Sequence, residues 1–366
     1  MKKTKKIFFI ILLILLALGL GACSGRRIVA AGWSGVSANE ETAFFAYGPQ
    51  AYAVSLMNGF QQWQYPAEPN SGVDFYAAPV LTPDGEQLIL VSYKNEIHSV
   101  DPASGVKKWS YTVVPEDSRS SVRFIDSPLI NDEMIFAPAS NNTLYALDTA
   151  GNLQWEYKTE DPLWASPVWS ESCQCLYQVS MDRYLYAINP EDGTLRWKSE
   201  DLGGPIVSSP ALSESGLIII STFNNEIIAL DETNQAEEWR FSTSNWAWAS
   251  PVIDGEQVYV SDISGNFYAL ELASGAVLWQ IQPGGGIFDA PLVEEDLVYF
   301  STDDGNLVVV NRDGVVQRVQ PIEGKLYTSP VLGEEKLLLA PLESEYYLIA
   351  LNQNGVQAWG YPPAGD

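Results

Sequence analysis

Side chains able to do chemistry are few and scattered along these 366 residues. The only histidine is His98, and the three cysteines are Cys23, Cys173 and Cys175. Cys173 and Cys175 flank Gln174, and a C-x-C pair alone supplies half of the four ligands that a closed zinc-type site requires. His98 lies far from them in sequence. A disulfide between them suits an exported protein, although so short a spacing is unusual; the sequence leaves their bonding open. Asp126 and Asp289 could be offered as general bases, but no nucleophile or partner group accompanies either one in sequence. No catalytic or metal-binding residue is therefore assigned, and no cofactor is expected.

Cys23 belongs to a different chemistry. Lys2, Lys3, Lys5 and Lys6 form a basic segment, Ile7 to Leu20 an apolar one, and Leu20-Gly21-Ala22-Cys23 follows. An apolar stretch this short reads as a signal-peptide core in preference to a membrane span. The small residues before Cys23 resemble the lipobox of bacterial lipoproteins, which implies that residues 1–22 are removed and that Cys23 carries a lipid. The expected location is the cell envelope, anchored on the outer side of the cytoplasmic membrane. Loss of four lysines and no acid takes the net charge from −26 to −30. Such a chain repels phosphates, so no nucleic-acid partner is expected. The acids lie mostly in turns, such as Glu40, Glu41, Asp303, Asp304, Glu334 and Glu335, and read as solvated loop faces that could attract a basic partner.

The dominant pattern is a repeat. Leu144-Tyr145-Ala146-Leu147-Asp148, Gly151 and Trp155 recur as Tyr186-Ala187-Ile188-Asn189, Gly193 and Trp197, and as Tyr268-Ala269-Leu270-Glu271, Gly275 and Trp279. Degenerate copies end at Trp63, Trp109, Trp239 and Trp359, and one carries Arg318 where the tryptophan belongs. From Trp63 the spacings are 46, 46, 42, 42, 40, 39 and 41 residues. A period near 40 with strand-like content marks a radial or stacked array. A second landmark, the Ser/Ala-Pro step, keeps the same frame at Pro79, Pro128, Pro167, Pro210, Pro251, Pro291 and Pro330. In the first unit Ser34-Gly35-Val36 stands at the matching place, with Gly35 read in place of the proline. Eight units run from about residue 28 to 361.

Within residues 248–281 the apolar runs are short: Pro251-Val252-Ile253, Val258 to Val260, Phe267 to Leu270 and Ala276 to Trp279. Asp254-Gly255, Ser264-Gly265 and Ser274-Gly275 separate them and favour hairpin turns. Four antiparallel strands per period make one propeller blade. The expected fold is all-β, an eight-bladed β-propeller of four-stranded antiparallel blades over 23–361, with a tail at 362–366. Trp63, Trp109, Trp155, Trp197, Trp239, Trp279 and Trp359 are read as structural wedges between blades, each N–H seeking a backbone partner.

The phrase running from Ala187 to Trp197, and with one deletion from Ala146 to Trp155, resembles the tryptophan-docking repeat of quinoprotein-type (PQQ-repeat) propellers. That superfamily holds pyrroloquinoline-quinone dehydrogenases and also non-enzymatic BamB-type outer-membrane assembly lipoproteins. WD40 propellers fit poorly, since the chain has one histidine and no Trp-Asp step. The dehydrogenases use adjacent cysteines against the quinone, a calcium ion and a catalytic Asp; here Gln174 separates the cysteines. The resemblance therefore implies a non-enzymatic, monomeric lipoprotein scaffold that binds protein partners at the envelope, with outer-membrane protein assembly as its process. The alternatives are a quinone-dependent oxidoreductase and a surface propeller that binds peptides or glycans.

A binding site would lie where inner strands begin. Two residues before the Ser/Ala of each step stand Gly32, Tyr76, Ile125, Trp164, Val207, Trp248, Phe288 and Tyr327; one residue before it stand Trp33, Ala77, Asp126, Ala165, Ser208, Ala249, Asp289 and Thr328. Successive strand residues face opposite sides. The aromatics either pack between blades or line a funnel, with Trp164, Trp248, Phe288 and Tyr327 as the candidate binding set.

Overall fold

The computed structural model describes residues 34–115, 122–131 and 133–362. Cys23, the segment before it and Arg27 to Trp33 lie outside the described residues. The described chain contains no helix and forms eight four-stranded sheets at 36–65, 80–112, 129–158, 168–198, 211–242, 252–281, 292–321 and 331–361. In each, strands a to d are antiparallel and adjacent in chain order. The sixth blade is typical, with a at Val252–Asp254, b at Gln257–Ser261, c at Phe267–Glu271 and d at Val277–Ile281. Gly255, Gly265 and Gly275 have φ of 59°, 83° and 68°, so the three turns need residues that tolerate the left-handed region. Pro251 falls just before strand a, where its missing N–H costs no ladder bond.

The a strands of neighbouring blades approach one another, as between blades 1 and 8 and between blades 5 and 6. They form the inner ring. Strands b and c are almost wholly buried and d alternates exposed with covered residues, as expected for the outermost strand. Apolar clusters lie between consecutive sheets, for example Ile219, Ala229, Trp239, Val258, Tyr268 and Leu270 between blades 5 and 6.

One contact recurs around the ring. Each repeat tryptophan in strand d pairs with a small residue of strand c: Ala53 with Trp63, Ser99 with Trp109, Ala146 with Trp155, Ala187 with Trp197, Ala229 with Trp239, Ala269 with Trp279, Ala350 with Trp359. The register shifts by a bulge immediately afterwards, and a bulge re-aims side chains. The indole then covers the c–d turn glycine of the following blade. A Cβ on Gly105, Gly151, Gly193, Gly275 or Gly314 would come within 2.5–2.7 Å of Trp63, Trp109, Trp155, Trp239 or Trp279 respectively. Nε1–H donates to a carbonyl in that same turn, at Pro102 from Trp63 (2.9 Å), Thr149 from Trp109 (3.0 Å), Pro190 from Trp155 (2.9 Å), Leu272 from Trp239 (2.8 Å) and Arg312 from Trp279 (2.7 Å). Arg318 reproduces the arrangement in blade 7. It pairs with Val309, its guanidinium lies over Gly355, and Nη1 donates to Gln353 O at 3.3 Å.

The ring closes by the same contact. Trp359 of blade 8 covers Gly59 of blade 1 and donates to Leu56 O at 2.9 Å. Tyr47 stacks on Tyr347 across the seam with ring centroids 4.1 Å apart. Among the described residues no strand is exchanged, since each of the two blades keeps its own four. In blade 1 the register corrects the reading of Gly35. Ser37 pairs with Phe44, which pairs with Ala53 opposite Trp63, as Val252 pairs with Tyr259 and Tyr259 with Ala269. Val36 therefore holds the proline position, Gly35 the serine position and Ser34 the position before it. Close approach accounts for the glycine: a Cβ on Gly35 would lie 2.1 Å from Ala78 N.

His98 lies at the interface of blades 1 and 2, 5 % exposed. Its Nδ1 is 2.8 Å from Tyr65 Oη and its Nε2 is 3.0 Å from Glu96 Oε2. The network assigns Nε2–H as donor to Glu96 and Nδ1 as acceptor of the phenol proton. Burial holds the imidazole below its ordinary pKa, against the opposing pull of Glu96, and pushes the Tyr65 phenol up to about 12.

Two outcomes follow. The dock makes substitutions at the turn change sign with local conformation. Gln235 stands where seven blades have glycine and holds φ at 62°, so Gln235→Gly should stabilise the fold by about 1 kcal/mol. Gly193→Ala should destabilise it by more than that, both read by urea titration; a destabilising Gln235→Gly counts against the dock as described. For His98, the unfolded chain takes up a proton near pH 6.5 while the folded chain resists it, so stability falls as pH drops through that value. His98→Gln should flatten the pH dependence of unfolding free energy between about pH 7.5 and 5.5, and an unchanged slope would place its origin elsewhere.

Candidate functional site

Strand a of each blade is entered from the d–a linker, so the antiparallel order puts linkers and b–c hairpins at one end of the ring. The a–b and c–d turns lie at the other end. Trp164, Trp248, Phe288 and Tyr327 occupy the same linker position in blades 4, 6, 7 and 8, and all four are half-buried. None is closed off in an inter-blade core. Trp248 meets Phe288 edge-on at 5.9 Å, and Phe288 meets Tyr327 at 5.5 Å. Trp164 stands apart, two blades from Trp248. The structure adds two residues to the set: Phe223, on the b–c hairpin of blade 5, stacks on Trp246 at 5.1 Å and 11° and touches Trp248 at 5.0 Å. Trp246 is 46 % exposed. Its backbone is held by Asn245 Oδ1 and by the N–H of Ile263 from the neighbouring hairpin, at 2.9 and 3.1 Å. Together Phe223, Trp246, Trp248, Phe288 and Tyr327 make an aromatic ledge across blades 5 to 8. Trp246 lies two residues before Trp248, a spacing that places both on one side of an extended segment and that sequence could have flagged. Phe223 is brought in only by the hairpin.

Beside the ledge runs Pro283-Gly284-Gly285-Gly286. Two of its N–H groups are already taken, Gly285 donating to Asp304 Oδ2 at 3.2 Å and Gly286 to Asp303 Oδ1 at 2.7 Å. A glycine-rich loop whose donors hold carboxylates offers no cradle for phosphate and leaves this side of the ledge negative. The Thr302 hydroxyl beside Asp304 holds that carboxyl below its usual value, so it stays charged.

At the inner ring, serines of the Ser-Pro step tie blade to blade. Ser127 Oγ donates to Ala78 O at 2.9 Å, Ser209 Oγ to Ser166 O at 2.9 Å, Ser166 Oγ to Ser127 O and Ser329 Oγ to Ala290 O. Asp126 and Asp289 strengthen two of these joints. Asp126 accepts from Ser127 N at 2.7 Å and from Ser166 N of the next blade at 2.9 Å. Asp289 accepts from Ala290 N at 2.8 Å and from Ser329 N at 2.7 Å. Burial raises both carboxyls above their ordinary pKa, the amide donors oppose this, and the charge of Asp126 raises Asp289 further. Their hydrogen bonds are structural straps.

Cys173 and Cys175 are bonded to each other across the a–b turn of blade 4, with Cα atoms 5.2 Å apart and Gln174 at φ 51°. That turn lies at the end of the ring opposite the ledge, and Cys175 is buried. The pair therefore does not fit the role that adjacent cysteines play against a quinone.

With the geometry described, the chain can be set beside known proteins. Among solved structures it is similar to BamB from Moraxella catarrhalis, at 16 % identity over 88 % of this chain and 92 % of that one, with a TM-score of 0.67. The computationally designed Ika8 protein matches at 10 % identity, 88 % and 94 % coverage and a TM-score of 0.69. A europium-containing methanol dehydrogenase matches at 14 % identity, 83 % and 81 % coverage and a TM-score of 0.69. These likenesses show the fold alone. A search of curated protein sequences finds no match. The family model described as outer membrane protein assembly factor BamB matches residues 29–125, 50–172, 162–245, 181–322 and 223–362. Those segments span all eight blades, and the chain belongs to that family.

Proposed function

We propose that this protein is a non-enzymatic, lipid-anchored scaffold of the cell envelope that binds a protein partner during outer-membrane protein assembly. The observation that carries the reading is the ledge, which leaves Trp246, Trp248, Phe288 and Tyr327 open to contact at one end of the ring. Blade interiors are consumed by packing, whereas linkers and hairpins are free to vary and carry function. Large, stiff aromatics supply contact area at little entropic cost. The family supports the process, and the Cys23 motif supports the anchor. The net charge, −30 after removal of the leader, favours a basic partner surface and a salt-sensitive association rate. Monomeric propeller, partner and anchor form one assembly at the membrane.

Three measurements test this. Capture of partners from solubilised membranes should fail with Trp248→Ala while its melting temperature stays close to that of the parent; a destabilised variant that still captures the partner would end the role of the ledge. Cys23→Ala should leave the membrane fraction, and unchanged membrane retention of a processed protein would remove the anchor. Addition of pyrroloquinoline quinone and calcium should give no dye-linked dehydrogenase activity, and activity there would overturn the scaffold reading.

A further inference from the structure

At the end of the ring opposite the ledge the a–b turns are unequal. In blades 6, 7 and 8 strands a and b are joined by residues 255–256, 295–296 and 334–335, whereas the turn of blade 2 runs over 82–87 and that of blade 4 over 171–174. The two longer turns stand on either side of blade 3 and wall a cavity of about 440 Å3. Its floor is apolar, made by Leu129 and Ile130 from strand a of blade 3 and Trp169 from strand a of blade 4, all half-buried. Leu129 and Trp169 pack on the same cluster between blades 3 and 4. Trp169 pairs with Leu176, the register position at which blades 2, 5 and 8 carry Leu81, Leu212 and Leu332. An indole thus stands where other blades hold leucine.

The rim is acidic. Pro83 lies on one side, and Glu133 and Glu171 bring two exposed carboxylates to the same cavity. Both turns that carry them are fixed. Asn131 Oδ1 accepts from Glu133 N at 3.0 Å and from Met134 N at 2.7 Å. The Cys173–Cys175 disulfide spans the other turn, where Glu171 Oε2 accepts from Gln174 Nε2 at 3.0 Å. Glu232 adds a third carboxylate at Ser170, accepting from its Oγ. No lysine or arginine lines the cavity, and neither Glu133 nor Glu171 forms an ion pair among the described residues. Arg196 reaches the blade 4 turn but donates to Cys173 O and Asn189 Oδ1. Trp169 Nε1–H makes no hydrogen bond among the described residues, in contrast to the docking indoles.

We infer that this cavity receives an arginine side chain of a protein partner, which makes it a second docking site at the end of the ring away from the ledge. An apolar ligand would strip water from two carboxylates and return nothing, and a neutral sugar would leave their charge unanswered. A cation satisfies floor and rim together, because the face of an indole attracts positive charge and the carboxylates pair with it. Guanidinium fits better than ammonium, since its plane stacks on an aromatic ring and its N–H fork matches a carboxylate. Free arginine would bring its own carboxylate against Glu133 and Glu171, so the residue belongs to a polypeptide. The volume lies within the range of about 300–1,000 Å3 usual for small-ligand sites, and walls held by a disulfide and a capped turn lose little freedom on binding. The assignment does not rest on the ledge, and a scaffold with a site at each end holds two chains at once.

The test uses the mature chain with 15N-labelled indoles, titrated with N-acetyl-arginine N-methylamide at fixed ionic strength. The Trp169 indole signal, identified by its loss in Trp169→Leu, should shift saturably. The citrulline analogue, which has the same shape without the charge, should leave it in place. Glu133→Gln/Glu171→Gln should weaken the affinity by about tenfold or more, while Asp303→Asn/Asp304→Asn, which removes the same charge at the ledge, should not change it. Trp169→Leu supplies a second arm, read by calorimetry: it installs the leucine of blades 2, 5 and 8, so it keeps the fold, and it should also weaken binding. No saturable shift in the parent, an equal response to citrulline, or unchanged affinity in either the double glutamine variant or Trp169→Leu would overturn the site. Free arginine should bind more weakly than the capped form, and equal affinity for the two would overturn the assignment to a polypeptide.

Discussion

An indole laid on a glycine of the next blade is the contact on which this structure depends. Packing sets the distance, because any Cβ on the glycine would collide with the ring. The N–H to the adjacent carbonyl sets the direction, and a buried indole without that partner would forfeit a hydrogen bond. The glycine also needs its left-handed backbone. Three requirements met at once leave little freedom in how one blade rests on the next, and repetition around the ring turns local geometry into a closed circle. Arg318 shows which part is essential: a flat cationic group covers Gly355 and reaches a carbonyl, so planarity and a donor matter more than apolarity. Its planar guanidinium suits the role as the flexible ammonium of lysine would not.

Much of the fold is legible in the sequence because each signal is local. The Asp-Gly and Ser-Gly turns, the alternating runs and the 40-residue spacing of Trp239 and Trp279 are read without any knowledge of contacts. The first blade was less legible. Ser34-Gly35-Val36 looks like a Ser-Pro-Val step with one substitution, yet cross-strand pairing of Ser37 with Phe44 moves the frame by one residue. Strand register is a property of two strands, and a motif seen on one of them does not determine it. The candidate site shows the same limit. Trp248, Phe288 and Tyr327 share an offset visible in the sequence, but Phe223 joins them through a hairpin from another part of the chain. The shared offset of Trp164 does not bring it to the others, because equal positions in a ring can point across two blades of intervening surface.

The two ends of the ring divide its work. The end with c–d turns carries the docks, where substitution is penalised by packing and by backbone conformation together. The end with linkers and b–c hairpins carries the ledge and its carboxylates, where Asp303 and Asp304 occupy the amide donors of the glycine run. A surface can therefore change at one end without disturbing the joints at the other.

The seam between Trp359 and Gly59 is chemically the same joint as the five others in which an indole covers a glycine. A ring whose ends meet through an ordinary joint has no privileged first blade. Gene rearrangements that begin the chain at another linker, or that duplicate or delete one 40-residue unit, leave every surviving joint of the same kind and alter only the curvature to be closed. Evolution of such molecules can proceed by counting whole blades, a route closed to propellers whose last blade is completed by a strand borrowed from the opposite terminus.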